Sequence, residues 1–135
     1  MINTKQPIDT TTDPIEWAKL AAQTAEAKGG LDPQILAVGD VLAILDAFVI
    51  TSATNDRLVR TLVNEIERAI GEAGGPKPQK VEGLDKLEWV LMDYGDFVVH
   101  VFLEASRRFY DLEHLWSDVP RIPWDSSIPK AASNG

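Results

Sequence analysis

Hydrophobic residues recur along the chain at helical spacing in some segments and in short strand-like runs in others. The first helical pattern follows Asp13, a typical N-cap, with Pro14 at the first helical position and Glu16 placed to complete a capping box. The pair Gly29-Gly30 ends this predicted helix, because glycine readily adopts a left-handed turn. The apolar stripe of the helix is narrow and rich in alanine, and comprises Trp17, Leu20, Ala21 and Ala25.

Two short apolar runs follow, at residues 35–38 and 47–50, and their β-branched residues and polar or glycine boundaries predict buried strands. Residues 41–46 between them fit either a helical turn or an irregular crossing. Residues 55–71 then repeat apolar side chains with helical periodicity and predict a long helix. A glycine- and proline-rich connection ends this helix between Gly71 and Pro78.

A β-hairpin is the clearest motif in the second half of the chain. Residues 87–93 and 97–103 predict two strands joined through Tyr94-Gly95-Asp96, where Gly95 can supply a positive φ, and residues 81–82 predict a short edge strand. Along the second strand of the hairpin, one face carries Phe97, Val99, Val101 and Leu103 and the other carries Val98, His100 and Phe102. Both faces are mostly apolar, so we expect this strand to be central or covered on both sides.

Helical spacing returns at Glu104 and puts Phe109, Leu112 and Trp116 on one predicted helical face. After Ser117, several prolines followed by small residues predict an extended tail. The alternation of strands and helices indicates an α+β fold, in which helices pack against a small mixed sheet. With 135 residues, we expect a single folded domain at residues 14–118, a flexible N-terminus at residues 1–13 and a proline-containing tail at residues 119–135.

Charge and composition narrow the possible functions. A net charge of -8 repels phosphate backbones, so we expect no direct nucleic-acid site and favour a basic protein surface as the partner. The absence of cysteine excludes disulfides and thiolate metal sites. Neither a signal peptide nor an apolar run long enough to span a membrane is present, which predicts a soluble cytoplasmic protein without a membrane partner.

Aromatic residues, arginines and acids are concentrated in residues 89–116, as is typical of protein-binding surfaces. Residues 81–116 contain eight acidic and three basic residues, a net charge of -5. An acidic rim around aromatic anchors suits a basic partner. Each aromatic also has a purely structural interpretation: Trp89 as strand packing, and Trp116 and Tyr110 as lids on the core.

Catalytic interpretations of the same segment are weaker. His100 has no second histidine, cysteine or acid at metal-ligand spacing, and a hydrogen-bonded sheet histidine is the simpler explanation. Asp93 and Asp96 flank the hairpin turn at a spacing of i and i+3, whereas metal-dependent nucleotidyl transfer favours i and i+2 on a strand. Arg107 and Arg108 next to Glu104, Asp111 and Glu113 also fit a simple salt-bridge ladder. We therefore expect neither a cofactor nor a metal.

The segment carries a family resemblance as well. It resembles the Iojap family of ribosomal silencing factors over about residues 14–118, with Thr51-Ser52-Ala53 replacing the glycine-containing turn of many members. The resemblance is carried by Glu82-Gly83, Trp89-Val90-Leu91-Met92-Asp93, Gly95-Asp96, Val98-Val99-His100-Val101-Phe102, Arg107, Tyr110-Asp111-Leu112-Glu113 and Leu115-Trp116.

The resemblance implies a nucleotidyltransferase-like topology without catalysis. It also implies binding to the large ribosomal subunit through ribosomal protein L-fourteen, which blocks association with the small subunit and represses translation under nutrient limitation, and it implies a possible homodimer. On this hypothesis the partner-binding residues are Asp93, Tyr94, Asp96, His100, Arg107, Tyr110, Glu113 and Trp116.

Two alternatives remain open from the sequence. One is a dimerising module whose aromatics serve only self-association. The other is a small nucleotidyltransferase that uses Asp93 and Asp96 with a divalent metal, against which the missing phosphate-binding glycines argue.

Overall fold

The computed structural model describes residues 13–125, in which helices and strands alternate up to α3 and three strands and two short helices follow. The helices are α1 (Pro14–Ala27), α2 (Gly39–Leu42), α3 (Asp56–Glu72), α4 (Glu104–Tyr110) and α5 (Leu112–Leu115), and the strands are β1 (Leu31–Leu36), β2 (Ala47–Ala53), β3 (Lys80–Glu82), β4 (Trp89–Asp93) and β5 (Phe97–Leu103). The strands form one sheet in the order β1-β2-β5-β4-β3. The pairing of β2 with β5 is parallel and the other pairings are antiparallel, so the sheet is mixed.

The two long helices cover one face of the sheet. Helix α1 begins at Asp13, whose carboxylate accepts a hydrogen bond from Ile15 N, and α3 begins at Asn55, whose side chain accepts one from Leu58 N. Four alanines form the buried stripe of α1, and their small size lets the helix lie close to the sheet and to α3. That stripe is Ala18, Ala21, Ala22 and Ala25, with Trp17 and Leu20 at its half-buried edge.

The opposite face of the sheet has a thinner cover of short helices. Its buried cluster contains Leu36, Val38, Ile50, Phe102 and Val119, against which the half-buried side chains Leu42, Leu45, Phe48, Trp89, Leu112 and Trp116 pack. We call this side the aromatic face, defined by Phe48, Trp89, His100 and Phe102 with Tyr110 and Trp116 resting on them. Strand β5 is central and buried on both sides, as the sequence predicted.

One sequence prediction is wrong in the segment that follows β5. The expected continuous helical face with Phe109, Leu112 and Trp116 does not form, because Asp111 adopts a left-handed conformation with φ 49° and separates α4 from α5. The direction of the chain changes there. Phe109 is consequently 80% exposed, while Leu112 and Trp116 pack on the aromatic face.

The described part of the proline-containing segment after Ser117 packs on the domain. Residues 119–124, which we call the strap, lie beside β1: Ala37 N donates to Pro120 O and Ile122 N to Ile35 O, each at 2.9 Å. The side chains of Ile122 and Trp124 pack against the main core. Residues 1–12, which we expected to be mobile, lie outside the described residues. The rest of the tail, residues 126–135, lies outside them as well.

Element boundaries differ from the predictions at several points. Strand β1 begins earlier, at Leu31, and Val38 is the N-cap of α2 instead of a strand residue. Strand β4 begins at Trp89, since Leu87 has a positive φ of 58° that interrupts an extended chain. Within residues 13–125, none of the helices combines the length and the apolar character that crossing a bilayer requires.

Candidate functional site

The aromatic face is built from three cross-strand rows of β2, β5 and β4. Since paired residues of neighbouring strands point to the same side, the strand register aligns their side chains. The rows are Phe48, Val98 and Asp93; then Ile50, His100 and Leu91; then Ser52, Phe102 and Trp89. His100 lies at the centre of this array.

His100 is held as a neutral imidazole. Its ring is 4% exposed, and the Trp89 indole donates a hydrogen bond from Nε1 to His100 Nδ1 at 3.0 Å. Burial lowers the pKa of His100 to about 4, because the charged form loses its hydration. An indole only donates, so Nδ1 is the acceptor and the neutral ring carries its proton on Nε2. Among the described residues, Nε2 has no hydrogen-bond partner.

Partly exposed rings surround this histidine. Trp89 lies 4.7 Å from Tyr110 and 4.9 Å from Phe102 between ring centroids, and the Tyr110 side chain is 49% exposed. Phe48 contacts His100 edge-on at 4.8 Å and Trp116 edge-on at 5.6 Å. The rings therefore form a nearly continuous surface that is anchored in the sheet and open to solvent at its rim.

Arg107 fastens the covering helices to the sheet. Its side chain is only 10% exposed and pairs with the Glu113 carboxylate at 2.6 Å. It also donates to Leu31 O at 2.8 Å, to Asp32 O at 2.8 Å and to Ser52 Oγ at 3.1 Å. Because these acceptors lie on β1, β2 and α5, Arg107 and Glu113 tie the covering helices to the sheet.

The hairpin turn supplies acids at one end of the aromatic face. Asp93 is half-buried, and its Oδ1 accepts a hydrogen bond from Gly95 N at 2.8 Å, while Asp96 is exposed. Asp96 O accepts from Asp46 N at 2.7 Å, which brings a further exposed acid to this end. Tyr94 lies instead in the main core, 4% exposed and stacked on Phe97.

Burial also sets the chemistry of the Tyr94 hydroxyl. Desolvation, together with the negative charge of Glu67, raises the pKa of Tyr94 far above its usual range. The hydroxyl has no hydrogen-bond partner within residues 13–125. A partner docked on the hairpin would thus meet the residues around Tyr94 and His100, and not these two side chains themselves.

The arrangement favours recognition over chemistry. Asp93 and Asp96 sit across a turn in which Asp93 is already engaged by the backbone, and the described part of the chain holds no cluster of three or more residues suited to a metal ion. His100, the natural candidate for a base, is buried with a lowered pKa and faces aromatic rings. A rigid aromatic surface with acids at its edge can bind a protein.

Sequence reasoning missed two parts of this site. Phe48 joins the aromatic face through the parallel pairing of β2 with β5, where it lies opposite Val98. The only local signal was the alternation of Phe48 with Ala47 and Val49. Asp46 reaches the hairpin end through the same long-range pairing, which no local pattern encodes.

Comparisons with known proteins agree with this architecture. Residues 11–135 match the family described as ribosomal silencing factor during starvation. Ribosomal silencing factor RsfS of Bacillus subtilis is 37% identical over 107 residues, which cover 79% of this chain and 90% of that protein. A more distant relative from Mus musculus, 29% identical over 85 residues that cover 62% of this chain and 37% of that protein, is named mitochondrial assembly of ribosomal large subunit protein 1.

A crystal structure of a protein from Chromobacterium violaceum aligns with a TM-score of 0.73 at 34% sequence identity, covering 78% of this chain and 88% of the other. The α+β fold and the resemblance inferred from the sequence are both confirmed. The family match spans nearly the whole chain, and the Bacillus subtilis relative aligns over most of both sequences. The chain therefore belongs to the family of ribosomal silencing factors.

Proposed function

We propose that this silencing factor binds the large ribosomal subunit through ribosomal protein L-fourteen and prevents association with the small subunit. Repression of translation under nutrient limitation would follow. The family to which the chain belongs has a regulatory, ribosome-associated role. The mouse relative is named for assembly of the large ribosomal subunit, which supports the choice of that subunit. The protein partner is our proposal.

The observation that carries the proposal is the half-exposed aromatic face. Trp89, Tyr110 and Trp116 present large rings whose positions are fixed by contacts to Phe102 and Phe48. Rigid aromatic anchors lose little conformational entropy on binding, and they dominate the energetics of protein interfaces. Leu115 and Phe109, which are 73% and 80% exposed, extend the apolar surface beside them.

Charge supports a basic partner. Asp46, Asp93 and Asp96 lie together at the hairpin end of the aromatic face, and the chain as a whole carries a net charge of -8. Such a surface attracts a basic ribosomal protein during encounter and disfavours bare RNA. The eight residues predicted from the sequence divide accordingly. Asp93, Asp96, Tyr110 and Trp116 would meet the partner, while Tyr94, His100, Arg107 and Glu113 would support them from within.

The proposed mechanism needs no chemical step. A bound protein that covers an interface of about 1,200–2,000 Å² competes directly with any small subunit that needs the same surface. Inhibition then scales with occupancy of the large subunit. The activity would be exerted in the cytoplasm, where the ribosomes are.

The test is sedimentation of the purified protein with separated ribosomal subunits, followed by addition of the missing subunit. We expect co-migration with the large subunit and fewer joined ribosomes. The double change Tyr110→Ala and Trp116→Ala should weaken binding by at least tenfold, because it removes two anchors. Arg57→Ala on α3, an exposed residue on the other side of the sheet, is the control and should bind normally.

The same gradients distinguish the failures. If the wild-type protein sediments with neither subunit, ribosome binding is wrong. If the double variant binds as tightly as the wild type and circular dichroism shows an unchanged fold, the partner uses a different surface.

Homodimer formation through the same face is a second candidate. Phe109, which is 80% exposed beside Tyr110, and Leu115, which is 73% exposed and precedes Trp116, leave apolar side chains in solvent that a second copy could cover. Sedimentation velocity at increasing protein concentration would show a dimer, and Leu115→Ser together with Phe109→Ser should shift the equilibrium to the monomer. A monomer at every concentration would eliminate this candidate.

A further inference from the structure

The strap brings an arginine to the aromatic face. Leu36 and Arg121 form a directly opposed antiparallel pair, flanked by the hydrogen bonds from Ala37 N to Pro120 O and from Ile122 N to Ile35 O. Directly opposed residues place their side chains on the same side of a sheet. Leu36 belongs to the cluster of the aromatic face, so Arg121 projects to that side, whereas Ile122 packs into the main core.

The Arg121 guanidinium binds backbone carbonyls at the end of α5. Nη1 donates to Val119 O at 3.0 Å and to Trp116 O at 3.3 Å, and Nη2 donates to Glu113 O at 3.3 Å. The last carbonyls of a helix have no partner within the helix, and a cation there also complements the helix dipole. Arg121 thus caps α5 from outside the helix.

Helix α5 depends on such external contacts because it has only four residues. A helix of this length is not stable by its own hydrogen bonds. Two arginines converge on Glu113: Arg107 pairs with its carboxylate, and Arg121 binds its carbonyl. Trp116 follows directly, with its ring resting edge-on against Phe48.

We propose that Arg121 is a positioning residue that fixes Trp116 for binding to the large subunit. This inference rests on the proposed function, and it extends the functional unit into the strap, beyond the residues that carried the sequence resemblance. Without the guanidinium, α5 samples other orientations and Trp116 is no longer preorganised. Binding then costs additional ordering of the anchor.

The experiment compares Arg121→Ala with Arg108→Ala. Both variants lose one positive charge from an exposed arginine, but within residues 13–125 the ion pair of Arg108 is with Glu104 on its own helix, at 3.6 Å. We label the protein with 5-fluorotryptophan, assign the Trp116 resonance with Trp116→Phe, and record fluorine NMR spectra together with affinity for the large subunit. Trp17, on the other side of the sheet, is an internal reference.

For Arg121→Ala, we expect a shifted or broadened Trp116 resonance, an unchanged Trp17 resonance and roughly fivefold to tenfold weaker binding, as for loss of a preorganised anchor. Arg108→Ala should leave both readouts at wild-type values. Arg121→Lys, which keeps the charge but offers no fork of donors, should fall between them. An unshifted Trp116 resonance in Arg121→Ala would overturn the proposal, as would wild-type affinity in that variant.

Failure of the proposed function is distinguishable from failure of this inference. If the wild-type protein does not bind the large subunit, the affinity measurement refutes the partner, and with it the binding role of Arg121. The resonance of Trp116 still reports whether Arg121 orders α5 in the free protein.

Discussion

At the residue scale, the centre of the aromatic face is a polar side chain kept neutral by its surroundings. His100 is enclosed by the rings of Phe48, Trp89 and Phe102, none of which titrates, and it accepts a hydrogen bond from the Trp89 indole. An isosteric hydrophobic ring would lack that acceptor and leave the indole N–H without a partner. Histidine therefore matches both the polar and the apolar requirements of this position.

The buried His100 makes folding stability depend on pH. Its folded-state pKa of about 4 lies below the ordinary value of 6.5, so the unfolded chain binds a proton that the folded chain excludes. The contribution of neutral His100 to the free energy of unfolding is fully present above pH 6.5. It falls by up to about 1.4 kcal/mol per pH unit between pH 6.5 and 4. Urea unfolding from pH 7.5 to 4.5 should show this decline, and His100→Gln should make it shallower.

His114 provides the matched control, because it is exposed on α5. His114→Gln should retain the wild-type slope. If His100→Gln and the wild type lose stability in parallel on acidification, then His100 is protonated in the folded state and our account of the site is wrong.

Arg107 and Arg108 are adjacent but differ in energetic importance. Arg107→Ala removes hydrogen bonds from the half-buried Glu113 and the buried Ser52, which should cost about 2–4 kcal/mol of unfolding free energy. Arg108→Ala removes one exposed pair and should cost less than about 0.5 kcal/mol. Chemical denaturation of both variants measures the difference. Equal costs would mean that Arg107 does not fasten α4 and α5.

At the scale of elements, the break between α4 and α5 directs Trp116 onto the sheet. Asp111 has φ 49°, and its N–H still donates to Arg107 O as it closes α4. A continuous helix would place Leu112 and Trp116 on the same face as Phe109, and could not pack the first two against the sheet while leaving Phe109 exposed. The left-handed residue thus divides a single amphipathic pattern into an exposed part and a part that packs on the sheet.

Substitution at Asp111 tests the break. Glycine tolerates a positive φ, so Asp111→Gly should keep the unfolding free energy within about 0.5 kcal/mol, whereas Asp111→Val should lose about 1–2 kcal/mol. The valine variant should also bind the large subunit more weakly, because a strained turn displaces α5. Thermal unfolding and gradient binding measure these effects. Equal stability of the two variants would show that the left-handed turn is not required.

The elements that the sequence predicted well are determined by residues close together in the chain. Helix α3 and the hairpin of β4 and β5 follow from their own periodicity and from the turn at Gly95. The site required contacts across the chain: Arg107 binds Leu31 O over 76 positions, and Phe48 reaches His100 through a parallel pairing. Tyr94 was predicted at the surface because its place in a turn is visible in sequence, whereas its stacking on Phe97 is not.

At the scale of the whole molecule, the net charge of -8 favours the basic partner that we propose. Asp93 lies in the outermost row of the aromatic face, and Asp46 and Asp96 are exposed beside it, so the exposed pair acts on encounter more than on the buried contacts. Attraction at this range is screened over about 10 Å at 0.1 M salt. The association rate should therefore carry most of the salt dependence.

Asp46→Asn combined with Asp96→Asn removes two of these charges without truncating an aromatic anchor. We expect association with the large subunit to slow by about threefold to tenfold at low salt, with little change in dissociation, because charges at an interface rim act mainly on the association rate. The matched control, Glu26→Gln with Glu72→Gln, removes the same charge from exposed positions on α1 and α3 across the sheet. It should associate at close to the wild-type rate. Stopped-flow measurements from 50 mM to about 500 mM salt should converge for all three proteins as screening increases. An equal slowing in both double variants would mean that net charge alone guides encounter, and that the hairpin end does not face the partner.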